Sequence, residues 1–386
     1  MSMAGCFVPV ALLLLLTFGT FHVQGGLVEQ ERIQEYHARN YTWPLRAERF
    51  IPNTPGWIKL AEHRLRQVEE IRNPKDRYEA YVQAVSMAVV APNFTEFGFG
   101  LVRAPEELME ALRQGIRDGL AEGPATEVKI DVIDTAEPSW FIERPDLTER
   151  VMNELQVYAE TWANMELTPY TAYGFRLYRN HSKLLMHLDK TNTHVISFIL
   201  HIGSSEDAEP WPIVIEDLYG NTHEVILTSG DMLLYESSKC LHGRPKRLNG
   251  SWYSSVFVHY YPKYGWDDID HSLERHYAVP PHWTEAPTTQ YEIPLQMVGT
   301  GLTEPSCPHE WCSLKHAKQW GGPAEEGFLM NPDGTIVPFI PKGQVCEDKN
   351  EQCPEWASWS TDECNTNPRY MMKYCRKSCQ FCTAEE

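Results

Sequence analysis

The region from Tyr173 to Tyr261 constrains this chain most, because turn residues cut it into runs too short for helices. Val195–Ile202, Ile213–Asp217, Glu224–Leu227, Met232–Glu236 and Trp252–Tyr261 are rich in β-branched, aliphatic and aromatic residues. Tyr219-Gly220-Asn221 marks a hairpin, and Ser229-Gly230-Asp231 marks a tight turn before the next strand. Many short strands separated by glycine-rich turns predict a sandwich or jelly roll.

Within this region lie His187-Leu188-Asp189 and, further on, His242. Side chains alternate faces along a strand, so His187 and Asp189 can point to one side. Two imidazoles and one carboxylate form a facial triad, a donor set that holds Fe(II) and leaves coordination positions open. The bland alternative for each histidine is a packed imidazole, and that is the expectation for His194, His201, His223 and His259. Cys240 reads as a buried free thiol.

The order His-x-Asp, a run of strands, Ser-Gly-Asp, and then His242 followed by Gly243 and Pro245 resembles the Fe(II)/2-oxoglutarate dioxygenases. The branch it is most similar to is the prolyl 4-hydroxylase-like one, over residues 97–262. The resemblance implies a double-stranded β-helix with His187, Asp189 and His242 as iron ligands and catalytic residues. It implies 2-oxoglutarate as co-substrate and ascorbate as reductant, with hydroxylation of a peptidyl, possibly prolyl, residue. Tyr178, nine residues before His187, corresponds to a tyrosine that helps hold the 2-oxoglutarate carboxylate. One departure stands out: the basic residue that the family places about ten positions after the second histidine is Trp252 here. Arg176, Lys190 or Arg244 must then meet the distal carboxylate, and Arg176, two residues before Tyr178 on the same strand face, is the favoured anchor. The departure also supports a second reading, a non-catalytic extracellular binding protein built on a degenerate oxygenase fold. A third is a metal-dependent enzyme that does not use 2-oxoglutarate.

The rest of the chain reads as flanking modules. Residues 1–25 lack Asp, Glu, Lys and Arg and carry an aliphatic run from Val10 to Leu16, which predicts a signal peptide cut near Gly25. Secretion or residence in the endoplasmic reticulum lumen follows, with no membrane span after signal removal. Four sequons, at Asn40, Asn93, Asn180 and Asn249, agree with that route. A net charge of −19 argues against nucleic acid and acidic membrane surfaces as partners. Residues 26–165 predict helices backing the barrel, at Pro55–Arg72, Pro74–Val90, Glu106–Leu120 and Asp146–Leu167, with Asp146 as an N-cap and a strand at Phe97–Val102. The strand core then spans 166–262.

After Pro262 the composition turns to Pro, Gly, Trp and polar residues, and residues 263–345 read as an irregular extension. Cys307 and Cys312 within it predict a local disulfide. Residues 346–382 hold six cysteines, at 346, 353, 364, 375, 379 and 382, in a unit too small to bury a sufficient core unaided. Spacing alone leaves 15 pairings open. With Asp348, Trp356, Tyr370 and Met371 at their positions, the pattern resembles the ShK toxin-like (ShKT) domain. That resemblance implies bridges Cys346–Cys382, Cys353–Cys375 and Cys364–Cys379, and a unit that binds an extracellular ligand. The expected class is therefore α+β: a jelly-roll core backed by helices, plus a disulfide-rich module.

Overall fold

The computed structural model describes residues 53–69, 93–264, 266, 312–343 and 346–382, apart from 129, 131, 191, 192, 359 and 361. The expected signal peptide, the helix at Pro74–Val90, the Asn40 sequon and Cys307 lie outside the described residues, as does the side chain of Cys312. Among the described residues, fifteen strands, β1 to β15, form two sheets. They run β1 Phe99–Arg103, β2 Ala125–Thr126, β3 Ile133–Asp134, β4 Trp140–Phe141, β5 Leu167–Arg179, β6 Lys183–His187, β7 Ile196–Ser204 and β8 Ile213–Glu216. They continue as β9 Thr222–Ile226, β10 Asp231–Tyr235, β11 His242–Arg244, β12 Trp252–Pro262, β13 Lys318–Gly321, β14 Phe328–Met330 and β15 Ile336–Pro338. The larger sheet has the order β15-β14-β1-β10-β7-β12-β5-β4-β2, and the smaller one β13-β9-β8-β11-β6-β3. Every pairing is antiparallel except β13 with β9.

The alternation of side chains makes the layers. On β7, β10 and β12, Phe198, Leu200, Met232, Leu234, Val256 and Val258 point to one face of the large sheet. There they pack against Leu108, Met109 and Leu112 of α2 (Glu106–Glu122) and Val151, Leu155 and Ala159 of α3 (Pro145–Ala163). The intervening residues Ile199 and Leu233, with Tyr235, point the other way and meet Ile213, Ile215 and Val225 of the small sheet. Two sheets face to face, with α2 and α3 on the outer side of the large one, are the expected α+β jelly roll.

The N-terminal helix α1 (Pro55–Glu69) is fastened to the small sheet by a buried ion pair between Arg64 and Glu216 of β8. Three boundaries differ from expectation. Helix α3 starts at Pro145 and stops at Ala163, because Asn164 adopts the left-handed conformation (φ 50°) that closes a helix, so Asp146 lies inside the first turn and does not cap it. The region ahead of residue 165 is not only helical, since β1 to β4 join both sheets. The stretch after Pro262 likewise contains regular structure: β13 extends the small sheet beside β9, and β14 and β15 extend the large one beside β1. Strands of three or four residues carry too little periodicity to be read without their partners.

The C-terminal module contains α4 (Cys353–Ser358), α5 (Glu363–Thr366) and α6 (Pro368–Tyr374). Bridges join Cys346 to Cys382, Cys353 to Cys375 and Cys364 to Cys379. Cys240 is a free, buried thiol. No helix among the described residues is long and apolar enough to cross a membrane. Of the sequons described, Asn180 and Asn249 are exposed, whereas Asn93 is 1% exposed and offers no room for a glycan in this fold.

Candidate metal centre

Strands β6 and β11 bring the two distant histidines together. His242 sits directly opposite His187 in their register, and the rings lie 4.4 Å apart between centroids. Gly243 permits this approach, because a Cβ there would fall 2.7 Å from the Leu185 carbonyl oxygen and 2.8 Å from that of Leu184. Asp189 follows β6, fixed by its backbone N–H donating to the Ser237 carbonyl at 2.9 Å. Its carboxylate oxygens lie 3.7 Å from His187 Nε2 and 3.8 Å from His242 Nε2. One donor atom from each of the three residues falls within 4.8 Å of the others, which is room for one ion.

Hydrogen bonds prepare each donor. His187 Nδ1 lies 2.7 Å from the Leu185 carbonyl and His242 Nδ1 lies 2.9 Å from that of Cys240. A carbonyl can only accept, so Nδ1 carries the proton and each Nε2 presents its lone pair inward. Asp189 Oδ2 is buried without a hydrogen-bond partner. An orphaned carboxylate oxygen facing two imidazole lone pairs is costly unless a cation lies between them. Two neutral nitrogens and one carboxylate oxygen on one side suit Fe(II).

Burial keeps both imidazoles ready. It pushes His187 down to about 4, helped by His242 and opposed by Asp189, and pushes His242 down to about 4 against the Cys240 carbonyl bond. Neutral imidazole is therefore the resting form at physiological pH. The linkage has a definite sign. Both folded values lie below the unfolded value of about 6.5, so the unfolded chain binds protons that the folded one refuses. The metal-free protein should hold its full stability above pH 6.5 and lose it progressively toward pH 4. Denaturant midpoints measured at half-unit pH intervals check this, and a flat profile from pH 7 to pH 4 would contradict it.

The cluster opens into a cavity of about 330 Å³ that also exposes Tyr173, Arg176, Tyr178, Tyr235, His194 and His259, with Ile130, Val132, Leu184, Ile199 and Phe257 as apolar walls. Tyr178 is 1% exposed, and Arg176 Nη1 lies 3.4 Å from its hydroxyl. The other two anchor candidates stand elsewhere. Lys190 is exposed and lies outside the cavity wall. Arg244 is buried with its guanidinium over the Trp211 and Tyr253 rings, donates to the Trp211 carbonyl and the Tyr253 hydroxyl, and does not line the cavity. Trp252 faces a separate cavity of about 570 Å³.

Several residues of the wall escaped sequence reasoning. Tyr235 packs edge-on to His242, and burial with the neighbouring Asp189 charge raises its phenol well above the ordinary range, so it keeps its proton. His259 Nδ1 bonds to Ser197 Oγ at 2.8 Å and lies 3.8 Å from Asp189 Oδ2, and its ring meets that of His194 at 3.9 Å. Both imidazoles therefore border the cluster without joining it. The spacing of His259 from Phe257 on β12 was a signal for the inner face. His201 stacks on Tyr253 in the second cavity, and His223 pairs with Asp217 at 2.7 Å, as packed imidazoles do.

Residues 345–382 match the ShK domain-like family, so the C-terminal module is an ShK domain. Over 35 residues the chain is 51% identical to Conotoxin Im14.3 of Conus imperialis, covering 9% of this chain and 45% of that one. Over 88 residues it is 33% identical to Probable prolyl 4-hydroxylase 6 of Arabidopsis thaliana, covering 21% of this chain and 27% of that one. The chain thus spans less than half the length of either curated relative. A Pseudomonas putida prolyl-4-hydroxylase crystal structure aligns with 15% identity, 43% of this chain, 94% of that one and a TM-score of 0.34. The Streptomyces hygroscopicus HygX structure with nickel and 2-oxoglutarate bound aligns at 12% identity, covering 43% and 83%, with a TM-score of 0.32.

Proposed function

We propose that this chain is an Fe(II)- and 2-oxoglutarate-dependent dioxygenase of the secretory pathway that hydroxylates a peptidyl residue. The observation that carries this reading is the convergence of two Nε2 lone pairs and the unpartnered Asp189 oxygen in one cavity with a buried arginine and tyrosine. Similarity to a plant protein named as a probable prolyl 4-hydroxylase makes prolyl the substrate residue to try first. The ShK domain would hold the substrate or an extracellular ligand beside the barrel, and ascorbate would serve as reductant.

His187, Asp189 and His242 would hold the iron, which together with 2-oxoglutarate and oxygen supplies an oxidant able to hydroxylate an unactivated C–H bond. The chain's own work is orientation. The Leu185 and Cys240 carbonyls fix both imidazole tautomers, and the Tyr235 ring packs edge-on against His242. Arg176 and Tyr178 would receive the distal carboxylate of the co-substrate with charge-assisted hydrogen bonds. Ile130, Val132, Leu184, Ile199 and Phe257 exclude water, which strengthens each polar contact inside.

Purified protein should contain stoichiometric iron and convert 2-oxoglutarate to succinate in the presence of a proline-containing peptide. Iron without 2-oxoglutarate binding would favour the metal enzyme of another kind, and neither iron nor co-substrate would leave the non-catalytic scaffold.

A further inference from the structure

Arg176 already has a counter-ion. Glu127, between β2 and β3, places Oε1 2.9 Å and Oε2 2.8 Å from Arg176 Nε. Tyr173 donates its hydroxyl proton to Glu127 Oε1 at 2.6 Å. The pair is inside the protein, with side-chain exposures of 10% for Arg176 and 5% for Glu127. The guanidinium also lies over the rings of Tyr173, Tyr178 and Phe257, which leaves its Nη1 edge toward Tyr178 and the cavity. The sequence gives no hint of this partnership, because Glu127 and Arg176 are 49 positions apart.

We propose that Glu127 is a specificity-determining residue that sets how strongly the site prefers a 2-oxo acid bearing a distal carboxylate over one without. The proposal rests on the co-substrate reading above. A guanidinium has five N–H donors, so Glu127 on Nε and the Tyr178 hydroxyl on one Nη1 hydrogen still leave Nη donors for a second carboxylate. The donors can serve both carboxylates, but electrostatically the two compete. The second carboxylate meets an arginine whose charge is already balanced, and it feels the repulsion of Glu127 in a site of low dielectric. Much of the gain that a dicarboxylate would draw from Arg176 is thereby cancelled. Glu127 also stabilises the unliganded protein, because a buried guanidinium with no counter-charge is strongly unfavourable.

Glu127→Gln isolates the charge. The amide oxygen can still accept from Arg176 Nε and from Tyr173, so the guanidinium keeps its position while losing its counter-ion. In this variant a dicarboxylate restores the missing negative charge, and a monocarboxylate of the same length cannot. The probes are 2-oxoglutarate and 2-oxopentanoate, titrated calorimetrically into the full chain loaded with Mn(II) under anaerobic conditions. The ratio of their affinities should rise by about tenfold or more in Glu127→Gln relative to wild type, and Glu127→Asp, which retains the charge, should keep a ratio close to wild type. Metal-free Glu127→Gln should melt below wild type, and 2-oxoglutarate with metal should recover more of that loss than 2-oxopentanoate does. An unchanged or reduced ratio in Glu127→Gln, with wild type binding 2-oxoglutarate, overturns the proposal and leaves the co-substrate reading standing. Wild-type protein that binds neither acid overturns both.

Discussion

Alanine at His187 or at His242 should abolish iron binding and 2-oxoglutarate turnover while leaving the barrel folded. Each change removes one of three donors, and even the loss of a group that only orients a metal ligand costs about 10–100-fold in affinity. Removing a donor outright should exceed that, so stoichiometric iron should fall below detection by elemental analysis. The fold should tolerate both changes for a reason visible in the cluster. In the metal-free protein each imidazole is a buried polar group whose inward nitrogen faces another imidazole and a carboxylate, and burial holds both values at about 4. Deleting such a group removes unfavourable desolvation along with packing, and the lost atoms border a cavity that already exists. Melting temperatures should therefore stay within a few degrees of wild type. His194→Ala and His259→Ala separate ligands from neighbours, because those rings line the cavity outside the cluster and their loss should leave bound iron in place. Full iron retention in both His187→Ala and His242→Ala would remove the cluster from consideration.

What was legible in the sequence follows from the range of the interactions involved. The strands β7 and β12 were readable because alternation is local: Phe198 and Leu200, like Val256 and Val258, face the helices, while Ile199 and Phe257 face inward. His187 and Asp189 could be paired for the same reason, whereas His242 was set apart from the other histidines by Gly243 and Pro245 beside it and by the family resemblance. That the six C-terminal cysteines staple a small module was readable because such modules rely on covalent staples, whereas their pairing came only from the resemblance to the ShKT domain. Glu127 was not, because its role exists only when the segment between β2 and β3 folds beside β5. Nor was β13, whose parallel pairing with β9 joins residues almost a hundred positions apart. The Asn93 sequon misled in the same way, since a tripeptide carries no record of the burial that tertiary contacts impose. Arg244 shows the limit from the other side: its place two residues after His242 suggested a role in the cavity, but its guanidinium is held between Trp211 and Tyr253.

Replacing Cys353 and Cys375 with serine should unfold the ShK domain and leave the barrel intact. Both sulfurs are fully buried, and the bridge links the start of α4 to the residue after α6. The module's core is little more than Cys353, Met371 and Cys375, with Trp356, Tyr374 and Phe381 packed around them. Apolar burial on that scale cannot offset the ordering of 37 residues, from 346 to 382, so the bridges supply what the core lacks. A cross-link spanning 22 residues contributes about 3 kcal/mol, and the buried serine hydroxyls add a desolvation penalty of about 1–3 kcal/mol. The sum is comparable to the whole stability of so small a unit. The barrel has its own core, and the described contacts joining it to the module include the Arg369–Glu325 ion pair at 3.0 Å, with both partners substantially exposed. An exposed pair of this kind contributes at most about 1 kcal/mol, and the described apolar contact is that of Met372 of α6, buried beside Gly327. Hydrogen exchange resolved along the chain should then show residues 346–382 exchanging freely in the variant, with β7, β10 and β12 as protected as in wild type. Loss of protection in those strands together with the module would mean that the barrel and the ShK domain fold as one cooperative unit, and the boundary at Cys346 would have to move.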